Sequence, residues 1–227
     1  MLQSLDQTLT LWLNGSHSLF ADGIAWTATQ TVTWVPVMLL LLYVIIRNNN
    51  LTGIAATLTA IGLCVLLADQ VASSIFKPLV ARYRPTNDPE LMYMVDVVNA
   101  YRGGRYGFFS SHAANTMAVA TFLSLLVRQC QLTCWLVSWS LLNCWTRVYL
   151  GVHYVGDLMT GLLWGIAVGF MVHYAMYRLF PSLQTLAKRR AALAGFTAGG
   201  YSVATVRMLI AGLLATYVAI TVRAAFF

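Results

Sequence analysis

The sequence predicts an all-α protein: a polytopic membrane helix bundle of about six transmembrane helices, with an N-terminal helix in the membrane interface. Charged residues make up 9% of the 227 residues and hydrophobic residues 59%, with a mean hydropathy of +0.70. A soluble domain carries about 25% charged residues, so a soluble fold of this composition would expose apolar surface that drives association. Apolar runs long enough to cross a bilayer recur along the chain. These observations exclude most soluble enzymes, disordered proteins and coiled coils.

The first residues predict a short amphipathic helix. Leu2, Leu5, Leu9 and Trp12 recur at helical spacing, and most polar residues of this segment lie on the other faces. This pattern is typical of a helix that lies in the plane of the interface. A cleavable signal sequence is not predicted, because no basic segment opens the chain and Asp6 interrupts the early apolar stretch.

Six apolar segments are candidates for transmembrane helices, since a span needs about 20 mostly apolar residues. They are Ile24–Ile46, Gly53–Phe76, Ala113–Val127, Leu132–Leu150, Leu158–Phe180 and Val203–Val222. The third is short unless it begins nearer Gly107, which would place His112 in its first turns. Pro36 lies inside the first segment and is expected to kink it, as membrane helices tolerate.

The connections between these segments predict a single membrane-embedded domain over residues 1–227, with no internal repeat. The longest and most polar connection runs from residue 77 to about residue 112. Residues 181–202 are expected to form a basic loop that contains Lys188, Arg189 and Arg190 and leads into the sixth span. In the fifth span, three glycines at intervals of four residues predict close helix packing: Gly161, Gly165 and Gly169.

The net positive charge is evidence about the orientation of the chain in the membrane, and it does not indicate nucleic-acid binding. Fourteen Lys and Arg against seven Asp and Glu give a net charge of +7, but no aromatic–basic RNA-binding motif is present, so no nucleic-acid partner is expected. The basic residues divide evenly between the two faces, so the positive-inside rule alone does not orient the chain. The cluster at 188–190 is the best marker of the inside, and it would place the N-terminal helix and the long loop outside.

Three short stretches concentrate polar residues beside membrane-embedded sequence: residues 77–85, 109–112 and 147–157. The first two share the loop between spans two and three, and the third lies between spans four and five. Because spans three and four cross the membrane out and back, all three stretches lie on the same face. Their charged side chains can therefore converge.

The residue types in these stretches suit phosphoryl transfer. Lys77, Arg84 and Arg147 supply three cations, and the two guanidinium groups match phosphate oxygens. The hydroxyl of Ser110 and the backbone N–H groups around Ser111, near a helix start, add affinity for anions. His112 and His153 can exchange protons or attack phosphorus. Asp157 follows His153 by four residues, so on a helix it shares a face with the imidazole and can fix its tautomer.

These residues resemble the motifs of the type-2 phosphatidic acid phosphatase (lipid phosphate phosphatase) family. The first motif, Lys, six residues, Arg-Pro, is matched by Lys77, Arg84 and Pro85. For the second, Pro-Ser-Gly-His, this chain has Phe109-Ser110-Ser111-His112. The third, Ser-Arg, five residues, His, three residues, Asp, is matched with Thr in place of Ser by Thr146-Arg147, His153 and Asp157. The resemblance covers roughly residues 5–180.

The resemblance implies a role for each matched residue. His153 would be the nucleophile that forms a phosphohistidine, with Asp157 orienting it, and His112 would protonate the leaving oxygen and later activate water. The phosphoryl oxygens would be bound by Lys77, Arg84, Ser110, Arg147 and the backbone of Ser111, which keeps the N–H of the family glycine but narrows the allowed backbone. No metal and no cofactor are expected. The four cysteines match no metal motif, and are expected to be small buried hydrophobes.

Four other charged residues allow more than one interpretation, and two further histidines lie outside the motifs. Asp69, in the second span, could orient Lys77 or an arginine, or form a structural ion pair. Arg82, Arg102 and Arg105 could bind a second phosphate or a headgroup, although ordinary loop charges are the simpler interpretation. His17 and His173 are expected to be structural.

The leading hypothesis is a bacterial inner-membrane lipid phosphatase whose site faces the periplasm or the outside, with a membrane lipid phosphate as its partner. Undecaprenyl pyrophosphate is the favoured substrate, because the chain resembles the compact bacterial members of the family. Phosphatidylglycerophosphate, phosphatidic acid, lipid A phosphates and lipid-to-lipid phosphotransfer remain alternatives. A vanadium-dependent haloperoxidase and a phosphate or lipid transporter are weaker hypotheses. The sequence carries no signal for the oligomeric state.

Overall fold

A computed structural model describes residues 2–15 and 18–227, and in these residues the fold is helical. Within the described ranges no β-sheet forms, and strand-like pairing is confined to two isolated bridges, Tyr83 with Tyr106 and Phe196 with Ser202. The predicted all-α polytopic bundle is therefore confirmed. His17 lies outside the described residues.

Ten α-helices occur in the described chain. They are α1 (Leu2–Leu13), α2 (Leu19–Thr29), α3 (Val35–Asn48), α4 (Leu51–Gln70), α5 (Lys77–Val80), α6 (Ser111–Val127), α7 (Cys130–Tyr149), α8 (Val155–Leu179), α9 (Pro181–Ala191) and α10 (Val203–Ala224). A π-helical segment, Val71–Phe76, joins α4 to α5, so the two helices form one continuous rod. Short 3-10 turns occur at Thr31–Trp34, Pro85–Asn87 and Val98–Ala100.

The centre of the bundle is α6, which packs against α8, α7 and α4. The predicted glycine stripe is what allows α8 to approach it. A Cβ on Gly161 would lie 2.6 Å from the Ser110 carbonyl oxygen, and one on Gly165 would lie 2.5 Å from that of Ala114. Since both distances are far inside van der Waals contact, only glycine fits there. This close packing brings the N-terminal ends of α6 and α8 together.

Four segments are long and apolar enough to cross a membrane: Thr31–Asn48, Leu51–Val80, Val155–Leu179 and Val203–Ala224. Of the other two predicted spans, α6 has 17 residues and α7 has 20. Most of α6 is covered by neighbouring helices, so its surface meets protein rather than lipid and need not be uniformly apolar. That α6 and α7 also cross stays a prediction.

The predicted first span, Ile24–Ile46, is wrong as a single helix kinked at Pro36. The chain leaves the helix at Thr29, turns through a 3-10 segment and begins α3 at Val35, with Pro36 in its first turn. A proline there costs no hydrogen bond, because the first N–H groups of a helix have no intrahelical partner. The Trp34 indole donates to the Ala28 carbonyl over 2.8 Å, which satisfies one of the groups freed by the break.

The N-terminal helix α1 has the predicted amphipathic character, with its apolar face directed outward. Leu5 and Trp12 are 55% and 79% exposed, and Leu9 lies between them on the same side. The opposite face carries Asp6 and Thr10 and packs against the start of α8. An apolar stripe outside and polar contacts inside are what a helix lying on a lipid surface requires.

Residues 181–202 are not simply the predicted basic loop. Pro181 occupies the first turn of α9, a favoured position, and the helix continues to Ala191. Lys188, Arg189 and Arg190 fall in its last turn, where cations interact favourably with the helix dipole. Leu183, Leu186 and Ala187 lie at helical spacing and line one cavity, and this apolar spacing was the signal that the basic composition obscured.

The prediction that all four cysteines are buried is right for two of them. Cys64 and Cys144 are buried, whereas Cys130 and Cys134 are exposed on the first turns of α7. The four thiols are free. The error arises because an apolar run in a membrane protein is as often directed at lipid as at protein.

Candidate active site

Two helix N-termini meet at the site. Ser110 caps α6, and its hydroxyl accepts a hydrogen bond from the N–H of Ala113 over 3.4 Å. Asp157 lies in the first turn of α8 and accepts from the N–H of Tyr154 over 3.2 Å. The two ends are joined directly, since the Ser110 N–H donates to the Asp157 carbonyl over 3.1 Å. Both dipoles therefore present their positive ends to the same region, which favours an anion.

His153 lies in the short connection between α7 and α8, and it is 1% exposed. Its Nδ1 is 3.3 Å from Asp157 Oδ2, and its Nε2 is 3.3 Å from a terminal nitrogen of Arg84. Burial, with the neighbouring cations Arg84, Arg147 and Lys77, lowers the pKa of His153 well below its usual value. The imidazole is thus neutral at physiological pH. In the tautomer with the proton on Nδ1, which the Asp157 carboxylate favours, the Nε2 lone pair faces Arg84 and can attack a phosphorus atom bound between them.

Arg84 is held by two backbone carbonyls, one of which belongs to the residue before His153. Its Nε donates to the Tyr106 carbonyl and its NH1 to the Val152 carbonyl, each over 3.1 Å. Burial lowers the pKa of Arg84 from its ordinary value, but a guanidinium keeps its charge in proteins. Its fork is therefore fixed next to the nucleophilic nitrogen.

Arg147 is the most enclosed cation of the site. It is 3% exposed, its Nε donates to Thr146 Oγ1 over 3.3 Å, and Tyr101 contacts its guanidinium. Its NH2 is buried and has no hydrogen-bond partner. A buried charged donor left unpaired is costly, and a phosphoryl oxygen would satisfy it. Arg147 lies close enough to His153 and His112 to interact electrostatically with both.

Lys77 reaches the site from the α4–α5 rod. Its ammonium donates to Ser73 Oγ over 2.9 Å and to Ser111 Oγ over 3.2 Å. Ser73 in turn donates to Asp69 over 3.2 Å. Asp69 is therefore linked to Lys77 through Ser73, and among the described residues it forms no ion pair.

The second motif forms the first turn of α6. Ser111 is the first helical residue, so its ordinary helical backbone shows no strain from the missing glycine, and its side chain contacts Lys77. Ser110 is fully buried, and its hydroxyl serves as the helix cap. His112 is exposed on the same turn, and it interacts electrostatically with Arg147, His153, Arg84 and Lys77. The structure thus brings together all eight residues that the motifs predict.

Of the three loop arginines, only Arg82 reaches this cluster. Its NH1 is 3.0 Å from Asp157 Oδ1. Arg102 donates to the Thr86 carbonyl over 2.9 Å, and Arg105 donates to the Tyr83 hydroxyl over 2.9 Å. Both therefore brace the long loop, and the interpretation as ordinary loop charges is the better one for them.

A family model described as the PAP2 superfamily matches residues 56–181. This chain belongs to the PAP2 superfamily. Its curated relatives include a lipid A 4'-phosphatase of Bacteroides thetaiotaomicron, 39% identical over 186 residues that cover 81% of this chain and 82% of the relative. Another is a lipid A 4'-phosphatase of Porphyromonas gingivalis, 34% identical over 178 residues that cover 78% and 73% of the two chains. No solved structure matches.

Membership of the PAP2 superfamily confirms the resemblance seen in the three motifs, all of which lie within the matched range. The helix α1 and most of the segment from α9 onward lie outside it. In the described residues no group of three or more His, Cys, Asp or Glu is arranged to hold a metal ion. The expected absence of a metal requirement stays a prediction.

Sequence reasoning missed three residues of this PAP2 site. Asp6 contacts Arg82 over 2.8 Å, Tyr101 contacts Arg147, and the backbone of Gly107 contacts the His153 ring. A Cβ on Gly107 would lie 3.0 Å from Asp157 Oδ2, so a side chain there would crowd the carboxylate. The one available signal was Asp6, the single charged residue of an otherwise uncharged N-terminal helix, on its polar face.

Proposed function

We propose that this PAP2 lipid phosphatase hydrolyses the phosphate monoester of a lipid A phosphate through a phosphohistidine on His153. The curated relatives named above, at 39% and 34% identity, support this substrate class. They give no such support to undecaprenyl pyrophosphate, the substrate favoured from sequence alone. Lipid A phosphate therefore becomes the first candidate, and undecaprenyl pyrophosphate a second substrate for comparison.

The contacts of the site support a two-step reaction. In the first step Nε2 of His153 attacks phosphorus, the bond from phosphorus to the lipid oxygen breaks, and His112 donates a proton to that oxygen. In the second step His112 takes a proton from water, the water oxygen attacks phosphorus, and the bond to Nε2 breaks to release inorganic phosphate. Asp157 holds the Nδ1 proton in both steps and stabilises the positive charge of the phosphorylated ring.

The observation that carries this proposal is the buried NH2 of Arg147, which has no hydrogen-bond partner. It lies near the neutral imidazole of His153, whose Nδ1 contacts the Asp157 carboxylate. Three positive charges, from Arg147, Arg84 and Lys77, lie around His153. They would stabilise the negative charge of the phosphoryl group in the transition state of its transfer. The two helix N-termini add partial positive charge at the same place. A structural ion cluster would instead pair each cation with a carboxylate, and Arg147 has no such partner among the described residues.

The site also fits a membrane-bound substrate. It lies at the ends of α6 and α8, next to the interfacial helix α1, so a lipid tail could remain in the bilayer while the phosphate enters. We place the protein in the bacterial inner membrane with the site on the periplasmic side and propose that it needs no metal. The basic end of α9, at the far ends of α6 and α8, would then face the cytoplasm.

The test is phosphate release by the purified protein in detergent, with lipid A, undecaprenyl pyrophosphate, phosphatidic acid and phosphatidylglycerophosphate compared with and without EDTA. The expected result is the highest kcat/KM on lipid A, unchanged by the chelator. His153→Ala and His112→Ala should lose at least about 10³-fold in kcat, as loss of a nucleophile or general acid implies. His173→Ala is the matched control, since His173 packs against Phe122 and Tyr177 near the other end of α8.

Each part of the proposal has its own contradicting result. Full activity in His153→Ala would exclude the phosphohistidine, and loss of activity in EDTA with recovery on adding a divalent cation would exclude metal independence. A higher kcat/KM on another lipid would reassign the substrate within the same chemistry. Radiolabelled phosphate that appears on a second lipid instead of in solution would make the protein a phosphotransferase.

A further inference from the structure

The polar face of α1 is bonded to the segment that carries the nucleophile. Thr10 Oγ1 accepts from the Val155 N–H over 3.2 Å, and the Asn14 amide donates to the Tyr149 carbonyl over 2.8 Å. Asp6 Oδ1 accepts from the Gly156 N–H over 2.8 Å. These three side chains lie at intervals of four residues and bind the two sides of the connection that carries His153. The N-terminal helix is therefore built onto the site, although it lies outside the range that the family model matches.

Asp6 is also linked to the nucleophile through two side chains. Its Oδ2 is 2.8 Å from NH2 of Arg82, and NH1 of Arg82 is 3.0 Å from Asp157 Oδ1. The other oxygen of Asp157 faces His153 Nδ1. The guanidinium carbon of Arg82 lies 3.8 Å from the centre of the Tyr154 ring, which fixes the plane of the fork. The order of contacts is thus Asp6, Arg82, Asp157, His153.

The division of the Arg82 fork between two carboxylates has a chemical consequence. A guanidinium that is free to do so binds both oxygens of one carboxylate. Here Asp6 occupies NH2, so that Arg82 binds Asp157 through NH1 and Oδ1 alone. Oδ2 then remains with His153 and the Tyr154 N–H. Without the charge of Asp6, Arg82 would be free to take both oxygens and draw Oδ2 away from the imidazole.

Steric evidence indicates that the Asp6 contact is close. A Cβ on Gly156 would lie 2.9 Å from Asp6 Oδ2, so a side chain at this position would displace the carboxylate. Asp6 and Arg82 are both largely shielded, with side chains 17% and 24% exposed. Their pairing is therefore screened less by solvent than that of a surface ion pair.

We propose that Asp6 is a positioning residue for His153, acting through Arg82 and Asp157. The inference rests on the proposed function and deepens it, because it assigns a role in the reaction to the interfacial helix. Asp6 touches neither the substrate nor the reacting atoms. It keeps the Asp157 carboxylate in the orientation that holds the Nδ1 proton of His153.

The test is Asp6→Asn in the full-length protein, measured as kcat and KM on the lipid that the wild type hydrolyses best. The isosteric amide keeps its volume and loses its charge. We expect kcat to fall about 10- to 100-fold, the range for outer partners that orient a reacting group, with KM changed less than about twofold. Asp6→Glu should recover part of the loss. Glu90→Gln makes the same charge change at an exposed residue of the long loop between residues 77 and 112, and it should leave kcat unchanged.

Two further readouts separate positioning from a general structural effect. The rate of phosphohistidine formation in a single turnover should fall in parallel with kcat. Asp6→Asn keeps an oxygen that can accept from the Gly156 N–H and loses the charge that pairs with Arg82. The double variant with Arg82→Gln should therefore lose no more than Arg82→Gln alone. The thermal unfolding midpoint shows whether Asp6→Asn folds. If it does not fold, the kcat of Asp6→Glu is compared with that of the wild type instead.

Wild-type kcat in a folded Asp6→Asn protein would overturn the inference, and so would full additivity with Arg82→Gln. A rise in KM with unchanged kcat would do the same, because it would place Asp6 in substrate binding. These outcomes differ from failure of the proposed function. That failure would appear as a wild-type protein inactive on every lipid phosphate, or as activity that survives His153→Ala.

Discussion

The substitution Asp157→Asn isolates the carboxylate charge behind the nucleophile. Asp157 is fully buried and lies 3.3 Å from His153 Nδ1. At this separation a unit charge on the imidazole is stabilised by about 5 kcal/mol at an effective dielectric constant of about 20. The amide oxygen of Asn can still accept the Nδ1 proton, and this hydrogen bond retains about 1 kcal/mol. The expected loss is therefore about 4 kcal/mol, which corresponds to about 10³-fold in rate.

The assay is a rapid-quench measurement of phosphohistidine formation, alongside kcat and KM in the steady state. Both rates are expected to fall about 10³-fold, with little change in KM, because Asp157 does not contact the substrate. Asp22→Asn is the matched control, and kcat should not change. Asp22 accepts a hydrogen bond from the Tyr149 hydroxyl over 2.7 Å and contacts neither Arg82 nor the imidazole. A loss of less than about tenfold in Asp157→Asn would refute the assignment of Asp157 as the orienting carboxylate.

Three further predictions test the phosphate site, the helix packing and the protonation state. Arg147→Lys keeps the charge but loses the planar fork, so kcat/KM for lipid phosphate should fall about 10²-fold, and an unchanged value would show that the unpaired NH2 binds no phosphate. Gly165→Val places side-chain atoms against the Ala114 carbonyl and should destabilise the fold by at least about 2 kcal/mol, measured by denaturation in detergent. The lowered pKa of His153 means that the unfolded chain takes up a proton that the folded protein does not, so the unfolding free energy should decrease as pH falls below about 6.5. In His153→Gln that decrease should be smaller, and an identical slope would contradict a neutral His153.

The three motifs and their spacing predicted the residues of the candidate site. Asp157 follows His153 by one helical turn, and the structure brings Lys77, Arg84 and His112 to the same region. The roles of these residues and the crossing of α6 and α7 stay predictions. The contact between Asp6 and Arg82 joins residues 76 positions apart. The spacing of residues within one segment does not predict a contact between two distant segments, because the tertiary fold determines which loop packs against which helix.

The predictions about the first span, the cysteines and Ser111 differ from the structure for similar physical reasons. The break after Thr29 leaves the apolar composition of the first span unaltered, so hydropathy does not detect it. Cys130 is exposed because apolar residues in a membrane protein face lipid as readily as protein. Ser111 fits where the family has glycine because the position is helical and needs no positive φ, which only the structure reveals.

The central claim is that His153 carries the phosphoryl group. The most direct measurement is mass spectrometry of the protein quenched at high pH during turnover of a lipid phosphate, with peptides mapped around residues 147–157. The predicted result is a phosphate on His153 that is acid-labile, accumulates in His112→Ala and is absent from His153→Ala. Phosphate release with no modified His153, or a phosphate on another residue, would contradict the account.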